Sequence, residues 1–339
     1  MATAAPLSDI PDAPGFADIT DAASRIRGYA VYTPLLESPA LNAMTGGRIL
    51  IKAEMLQRIG AFKFRGAWNR ISRLSEDELK RGVVTFSSGN HGQAVAAAAS
   101  LLSAPATIVM PQDAPAMKTE STRRHGAVVR PYDRATESRE DICREIAEMN
   151  DAVIVPPFDH PLIIAGQGTV GLEIAAQAAL LDTKPDIALV PCSGGGLIAG
   201  CAIALKNYFP DIAIHPVEPH GFDDTARSLE SGRRETNRDG VKSFCDALLV
   251  QTPGRLTFDI NSRLLAGGLT VSDDDTARAM AAAFAHLKLV AEPGGAIALA
   301  AALSGAIDCR GKTVAVVCSG GNVDASVFTK AILDHCPVR

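Results

Sequence analysis

A lysine between two phenylalanines is the first feature that could carry chemistry. Lys63 lies between Phe62 and Phe64 in the segment GAFKFRGA, at a predicted passage from strand to helix. Apolar surroundings shift an amine toward its neutral form, and a neutral lysine can attack a carbonyl carbon to form a Schiff base. The same pattern also fits a surface lysine whose alkyl stem covers apolar area. The segment therefore indicates either a nucleophilic amine or an ordinary surface side chain.

A turn rich in serine and glycine comes next. The segment SSGNHGQA, residues 87–94, follows the predicted strand GVVTF and opens an alanine-rich helix. Backbone N–H groups at such a helix start, with Ser87, Asn90 and His91 beside them, would form a cradle for a carboxylate. A simple capped turn, in which serine and asparagine serve only the helix end, explains the pattern equally well. Both interpretations stay open on this segment alone.

A third segment, PCSGGGLIAG at residues 191–200, again reads as strand, glycine-rich turn and helix. Successive glycines let backbone N–H groups close around a phosphate at the helix N-terminus. The segment lacks the GxGxxG spacing of a dinucleotide fold and the GK[ST] ending of a P-loop, so it supports neither NAD nor ATP binding. A tight structural turn is the alternative.

The fourth segment, VCSGGN at residues 317–322, ends the last predicted strand. Ser319 would therefore lie at a carboxyl edge of the sheet, where ligands collect in open α/β proteins. A turn with a purely structural role is again the alternative.

The elements that must position these segments alternate between short apolar strands and alanine-rich helices. This rhythm predicts βαβ units and parallel sheets, and the continuously apolar strands predict helices on both faces. A strand and helix set between Arg65 and Phe158 is followed by another set. We therefore expect a small mobile lobe, residues 65–158, inserted into a large lobe formed by residues 1–64 and 159–339. The predicted strands are GVVTF, PATIVMP, AVVRPY, DAVIVPP, DIALVP, IAIHPVEP and KTVAVVC.

Composition narrows the class of protein. The chain has 339 residues, of which 47% are apolar and 21% charged, and its formal net charge is −5. Phosphate backbones are held mainly by clustered lysine and arginine, so we expect no nucleic-acid partner. Seven cysteines occur without a CxxC pair and imply neither a disulfide framework nor a zinc site.

The compartment follows from the same kind of evidence. The N-terminus carries proline and aspartate where a signal peptide needs an uninterrupted apolar core. Charged residues and a proline break the most apolar stretch, AAAFAHLKLVAEPGGAIALAAALSG, whereas a membrane span needs about 20 residues with few or no charges. We therefore expect a cytoplasmic protein with no membrane contact.

Taken jointly and in this order, the four segments resemble the fold type II pyridoxal-phosphate enzymes. Within that group the chain is similar to the serine/threonine dehydratase and serine racemase family over nearly all of residues 20 to 335, and AFKFRG and SGGGLIAG distinguish it from the cysteine synthase branch. The resemblance implies an α/β, two-lobed fold like that of the tryptophan synthase β chain, with mostly parallel twisted sheets flanked by helices. It also implies pyridoxal 5′-phosphate as cofactor and a homodimer.

The resemblance further implies a role for individual residues. Lys63 would bind the cofactor covalently and act as the base at Cα, Ser319 would face the pyridine nitrogen, and Asn90 the ring oxygen. The full set assigned to the cofactor is Phe62, Lys63, Asn90, Ser193, Gly194, Gly195, Gly196 and Ser319. The set assigned to a small amino-acid substrate is Ser87, Asn90, His91, Arg139 and Ser243. Arg139 resembles an arginine that contacts a second carboxylate of the substrate in some relatives.

Two reactions are compatible with this resemblance. The leading expectation is an ammonia-lyase that converts a 3-hydroxy amino acid of the serine, threonine or 3-hydroxyaspartate type to a 2-oxo acid and ammonia. The alternative is an amino-acid racemase, because Ser88 resembles the hydroxyl that racemases place opposite the lysine. A non-catalytic binding protein is a third hypothesis, against which the intact Lys63 speaks.

A cation site is also implied. In VEPHGFDD, Glu218, Asp224 and the carbonyl of Phe222 match the family's divalent-cation site, and such oxygen ligands suit Mg²⁺, Mn²⁺ or Ca²⁺ better than zinc. Spacing alone would favour a solvated acidic turn. Two positions depart from the racemase pattern: His125 replaces a tyrosine, and Phe158 replaces an asparagine.

Overall fold

The computed structural model of the chain describes residues 7–114 and 116–336. Within those residues the strands are β1 (Leu35–Glu37), β2 (Arg48–Ala53), β3 (Val83–Phe86), β4 (Ala106–Pro111), β5 (Val128–Tyr132), β6 (Val153–Ile154), β7 (Ile187–Pro191), β8 (Ala213–Pro219), β9 (Leu269–Val271) and β10 (Thr313–Cys318). The first seven helices are α1 (Phe16–Ile26), α2 (Pro39–Thr45), α3 (Lys63–Ile71), α4 (Glu76–Arg81), α5 (Asn90–Leu101), α6 (Ala116–Arg124) and α7 (Arg139–Asn150). The others are α8 (Pro161–Leu180), α9 (Gly196–Tyr208), α10 (Asp224–Ser231), α11 (Arg255–Leu264), α12 (Asp273–Leu287), α13 (Pro293–Leu303) and α14 (Ala325–His335).

The larger sheet has the strand order β1-β2-β10-β7-β8-β9. Only β1 is antiparallel to its neighbour, and the other pairs are parallel. Every residue of β7 is buried, as expected for a strand that helices cover on both faces. The predicted parallel α/β architecture is therefore confirmed for this sheet.

The smaller sheet has the order β5-β4-β3-β6 and is parallel throughout. Its strands fall within residues 83–154, inside the range predicted for a small lobe. The exact division at residues 64 and 159 stays a prediction.

Helix α8 joins the two sheets and packs against α3 and α9. It is long and apolar enough to cross a membrane by composition, but 67% of that stretch is buried inside the protein. A Cβ atom added at Gly166 would lie 2.6 Å from the Cα of Gly66, and one added at Gly200 would lie 2.3 Å from the carbonyl oxygen of Ile164. These glycines let α3 and α9 approach α8 closely, which places the start of α3 beside the large sheet.

Four charged side chains, Lys52, Glu54, Arg65 and Glu173, form a buried ion cluster that joins β2, α3 and α8. Arg65 Nε lies 2.8 Å from Glu54 and its Nη1 lies 2.6 Å from Glu173. Lys52 Nζ lies 2.6 Å from the second oxygen of Glu173. Two cations face two anions, so the cluster is neutral, as buried charges must be to offset their desolvation. The cluster holds helix α3 in place at Arg65, two residues after Lys63.

Candidate active site

The site lies where the carboxyl ends of the strands of both sheets meet. Lys63 is the first residue of α3, and the N–H of Phe62 before it donates to the carbonyl of Ser319 at 3.1 Å. An isolated antiparallel bridge between Ala61 and Gly320 extends this contact. The structure thus brings the lysine segment against the loop after β10, two features that are far apart in sequence.

The Lys63 amine is held by main chain. Its Nζ donates to the carbonyl of Pro157 at 2.8 Å and lies 5.2 Å from the centre of the Phe62 ring. Burial lowers the pKa of Lys63 to about 8. Since desolvation disfavours the ammonium form, a useful fraction of this amine is neutral near physiological pH. This is the state that a nucleophile or base requires.

The loop after β3 faces the same point from the small sheet. Asn90 begins α5, and its Nδ2 donates to Glu292 at 2.6 Å while its Oδ1 accepts from Asn322 at 2.7 Å. Asn322 also donates to the carbonyl of Ile59 at 2.8 Å. Asn90 therefore connects the small sheet to the loop after β10 and to the segment before Lys63.

The serines of this loop are partly exposed. Ser87 Oγ accepts from the N–H of Gly89 at 3.1 Å, and the half-buried Ser88 lies between them. The start of the 12-residue helix α5 supplies N–H groups and a positive dipole end. That this loop binds a carboxylate stays a prediction.

His91 is placed differently from the other cradle residues. Its side chain is buried, and its Nε2 lies 3.0 Å from the carbonyl oxygen of Val155. Burial, aided by the charge of Lys63, lowers the pKa of His91 to about 3, so the ring is neutral. Its Nε2 faces the main chain of residue 155 while the charge of Lys63 acts on the ring, so a contact between this imidazole and a substrate stays a prediction. The main-chain carbonyls of Val155 and Pro157 thus contact the His91 ring and the Lys63 amine.

The glycine loop after β7 opens helix α9. Gly195 has a φ of +88°, in the left-handed region that favours glycine. A Cβ atom added at Gly194 would lie 2.4 Å from the ring of Phe158, and one at Gly196 would lie 3.0 Å from that residue. Ser193 Oγ accepts from the N–H of Val250 at 3.3 Å. Phe158, Thr257 and Asn261 leave no room for a Cβ atom at these positions, so only glycine fits in the loop.

The structure places the two remaining predicted substrate residues, Arg139 and Ser243, against other groups of the protein. The guanidinium of Arg139 lies 5.0 Å from the centre of the ring of Phe86, the residue directly before Ser87. The Nε of Arg139 is 2.9 Å from Glu140. Ser243 instead donates to Asp273 at 2.5 Å. The structure brings Arg139 next to the cradle but shows no hydrogen bond between Ser243 and Arg139.

The comparison with known proteins identifies the family. The family model described as "Pyridoxal-phosphate dependent enzyme" matches residues 26–320. The chain belongs to this family. The pyridoxal-phosphate enzymes to which it is similar include an L-threo-3-hydroxyaspartate ammonia-lyase of Saccharomyces cerevisiae, 41% identical over 94% of this chain and 96% of the relative. A protein of the same name from a Pseudomonas species is 42% identical over 93% of this chain and 97% of the relative.

A solved structure supports the same assignment. The structure of maize serine racemase superimposes with a TM-score of 0.89 at 37% identity, covering 95% of this chain and 98% of that one. The predicted fold, that of a two-lobed fold type II pyridoxal-phosphate enzyme, is therefore confirmed.

The residues of the site fit pyridoxal phosphate. The glycine loop at a helix N-terminus suits the phosphate, and the Lys63 amine with its lowered pKa suits the aldehyde carbon. Phe62 and Ser319 are in direct main-chain contact beside that amine. Both polar atoms of Asn90 already have protein partners, so its contact with the ring oxygen stays a prediction.

Sequence reasoning assigned no role to several groups that complete this site. The carbonyl of Pro157 receives the Lys63 amine, and Glu292 and Asn322 hold Asn90. Asn322 directly follows a glycine pair in the sequence, and Glu292 is separated from another glycine pair by Pro293, which is the only signal that could have indicated them. Of the two departures, His125 lies near Arg58, whose charge adds to burial in lowering the pKa of the imidazole.

The predicted cation ligands form a separate buried group. Burial and neighbouring Asp224 raise the pKa of Glu218 to about 8, and burial raises the pKa of Asp224 to about 6. Asp224 Oδ2 is buried with no hydrogen-bond partner, while Oδ1 accepts from Asn237 at 2.6 Å. Phe222 is buried nearby in the chain. Two buried carboxylates fit a hard cation. Arg227 acts on Asp224, however, both oxygens of Glu218 accept from the N–H groups of Thr225 and Ala226, and the described residues contain no cluster of three His, Cys, Asp or Glu side chains.

Proposed function

We propose that this pyridoxal-phosphate enzyme is an ammonia-lyase that converts a 3-hydroxy amino acid to a 2-oxo acid and ammonia. The observation that carries the proposal is the Lys63 amine, whose lowered pKa suits proton abstraction and which lies beside both the Ser319 loop and residue 157. Two similar proteins that are named ammonia-lyases support the reaction class.

The residues of the site have separate roles in this reaction. Bound pyridoxal phosphate supplies an electron sink for the negative charge that develops at the substrate Cα. Lys63 removes the Cα proton, and the carbonyl of Pro157 holds the amine once it is free. The cradle at residues 87–90 binds the substrate carboxylate. The β-hydroxyl leaves with a proton as water, and the released enamine hydrolyses to the 2-oxo acid and ammonia.

A substrate panel tests this proposal. Serine, threonine and 3-hydroxyaspartate are incubated with the holoenzyme, and 2-oxo acid, ammonia and the enantiomers of the remaining substrate are measured. Equal amounts of 2-oxo acid and ammonia support an ammonia-lyase. Interconversion of enantiomers without 2-oxo acid would contradict it and favour the racemase alternative.

The racemase alternative has one specific observation in its favour. Ser88 is a half-buried hydroxyl in the cradle, and the similar maize protein is a serine racemase. If Ser88 delivers a proton on the face opposite Lys63, Ser88→Ala abolishes enantiomer interconversion and leaves elimination measurable. Equal loss of both reactions would instead assign Ser88 to substrate binding.

For the substrate, we propose a 3-hydroxy amino acid with a second carboxylate, as in 3-hydroxyaspartate. Arg139 supports this because its guanidinium lies over Phe86, which directly precedes the cradle. Its side chain is 45% exposed, so solvent screens a charge pair there, and the pair is worth about 1 kcal/mol, the upper end for exposed pairs. This corresponds to about a fivefold change in kcat/KM.

Arg139→Ala should therefore lower kcat/KM for 3-hydroxyaspartate about fivefold and leave serine nearly unchanged. Arg144→Ala is the matched control, because Arg144 is an exposed arginine on the same helix that pairs with Asp141. An equal loss with both substrates would show that Arg139 stabilises the small sheet and does not select the substrate.

We also propose that Glu218, Asp224 and the carbonyl of Phe222 bind Mg²⁺ or Mn²⁺, with Ca²⁺ as a further candidate. The partnerless Asp224 Oδ2 and the raised pKa values support this. The site is apart from Lys63 in the sequence and on a different loop, so its role would be structural.

Finally, we propose a cytoplasmic homodimer. All seven cysteines, each within the described residues, are free, which suits a reducing compartment. Several large apolar side chains near the start of the chain are exposed and would suit a subunit interface: Tyr29, Val31, Tyr32 and Leu56. Light scattering of the holoenzyme tests the oligomeric state, and a mass of one chain would contradict the dimer.

A further inference from the structure

Helix α11 places two buried polar side chains against the glycine loop. Thr257 Oγ1 donates to the carbonyl of Gly194 at 2.7 Å, and Asn261 Nδ2 donates to the carbonyl of Gly195 at 3.4 Å. Both side chains are fully buried and lie one helical turn apart, so they face the same way. Neither residue belongs to any of the four segments that the sequence analysis singled out.

Each of these carbonyls has a second donor. The N–H of Gly254 donates to Gly194 at 3.3 Å, and the N–H of Ala199 donates to Gly195 at 3.0 Å. A carbonyl oxygen has two lone pairs, so both oxygens are saturated: that of Gly194 by Thr257 and the residue before α11, and that of Gly195 by Asn261 and the first turn of α9. In a planar trans peptide the carbonyl and the next N–H point in opposite directions. Holding the two carbonyls therefore turns the N–H groups of Gly195 and Gly196 away from α11.

Asn261 also carries a feature that stability does not explain. Its Oδ1 is fully buried and has no hydrogen-bond partner. An unsatisfied buried acceptor is destabilising, and a leucine of similar volume would avoid that cost. The asparagine is therefore better explained by what its Nδ2 does for the loop.

We propose that Thr257 and Asn261 are positioning residues for the cofactor phosphate: they fix the carbonyls of Gly194 and Gly195 so that the following N–H groups face the phosphate. The inference rests on the proposed function and on the glycine loop being the part of the candidate active site that holds that phosphate.

Asp159 completes the arrangement. Its carboxylate accepts from the N–H groups of Arg255 at 2.9 Å and Thr257 at 3.1 Å, which caps the start of α11. The two residues before it are Phe158, which covers Gly194, and Pro157, which receives the Lys63 amine. One short segment thus sets α11, the glycine loop and the lysine relative to one another.

The test compares ligands with and without a phosphate. Thr257→Val removes the hydroxyl at nearly constant volume, and the cofactor is removed from the full-length protein before titration calorimetry. We expect its affinity for pyridoxal phosphate and for inorganic phosphate to fall about five- to tenfold, while its affinity for pyridoxal is unchanged. Thr257→Ser should restore both. Thr276→Val is the matched control, since Thr276 is equally buried but its hydroxyl donates to Ser272 within α12.

A second measurement uses the loaded enzyme. The phosphorus NMR resonance of the bound phosphate should shift in Thr257→Val and stay unchanged in Thr276→Val. Asn261→Leu provides an independent variant, because it removes the donor together with the unsatisfied Oδ1, and it should show the same phosphate-specific loss.

Two different results would contradict this proposal. One would contradict the positioning role of the two side chains, and the other would contradict the phosphate site on which that role depends. If Thr257→Val and Asn261→Leu weaken pyridoxal as much as pyridoxal phosphate, both residues only stabilise the fold, and the positioning role is wrong. If the unmodified protein binds pyridoxal as tightly as pyridoxal phosphate and does not bind inorganic phosphate, the glycine loop is not a phosphate site. The assignment of the cofactor phosphate to the glycine loop then fails independently of α11.

Discussion

Removing one charge from the buried ion cluster should destabilise the protein strongly. Glu173 accepts from Arg65 at 2.6 and 2.9 Å and from Lys52 at 2.6 Å, and its side chain is only 10% exposed. Glu173→Gln leaves two buried cations opposite Glu54 alone. Removing one partner of a buried ion pair costs about 3 to 5 kcal/mol, which is a large part of a typical unfolding free energy of about 5 to 15 kcal/mol.

The assay is urea unfolding of the holoenzyme at a fixed, saturating cofactor concentration, followed by circular dichroism. Glu37→Gln is the control, because the pair between Glu37 and Arg48 is 31% and 36% exposed and should contribute about 0 to 1 kcal/mol. Lys52→Met combined with Glu173→Gln removes one charge of each sign. This double variant should lose less stability than the sum of the single variants.

Equal losses for Glu173→Gln and Glu37→Gln would refute this reasoning, because they would mean that water screens the cluster as it screens a surface pair. Strict additivity of Lys52→Met and Glu173→Gln would refute the electrostatic coupling specifically.

Three further predictions concern the site. Lys63→Ala should abolish turnover and the visible absorbance of the lysine-bound cofactor, and borohydride reduction with peptide mapping should label Lys63; label on another lysine contradicts the assignment. The pKa of His91 is lowered to about 3 from an ordinary value near 6.5. As the pH falls, the imidazole is therefore protonated in the unfolded chain at a higher pH than in the folded protein. Its contribution to stability is therefore present above pH 6.5 and lost toward pH 3, by up to about 1.4 kcal/mol per pH unit; His91→Gln should flatten that part of the curve in denaturant melts, and an unchanged slope refutes it. Chelation should lower the Tm, Mg²⁺ or Mn²⁺ should restore it, and Asp224→Ala should lose this response; a wild type insensitive to chelator removes the metal site.

Much of the fold could be predicted from local pattern. Strands such as β4 and β7 are continuous apolar runs between turn residues, and each is a strand in the structure. Strands β1, β2 and β9 were not predicted. The six-residue β2 is an apolar run like the predicted strands, whereas β1 and β9 have three residues each and carry too little periodicity to be recognised. Strands β1 and β9 lie at the two edges of the large sheet and are defined by pairing with β2 and β8.

The residues of the site likewise separate into those that local sequence predicted and those whose placement depends on the tertiary structure. Lys63, Asn90, Gly195 and Ser319 were found because each adjoins a strand end or helix start whose local sequence has a chemical signature. His91 belongs to the same segment as Asn90, yet its ring turns inward to Val155, and no local pattern specifies that direction.

The sequence by itself determined which chemistry is available: an amine in apolar surroundings, a glycine loop at a helix start, and strands that must form parallel sheets. Tertiary structure alone decided which groups meet. The Pro157 carbonyl on Lys63, the pair Thr257 and Asn261 on the glycine loop, and Glu173 on Arg65 all join residues about 60 to 110 positions apart. The physical reason is that backbone carbonyls and buried charges find their partners across packed elements, so their energies depend on separations that the order of residues does not encode.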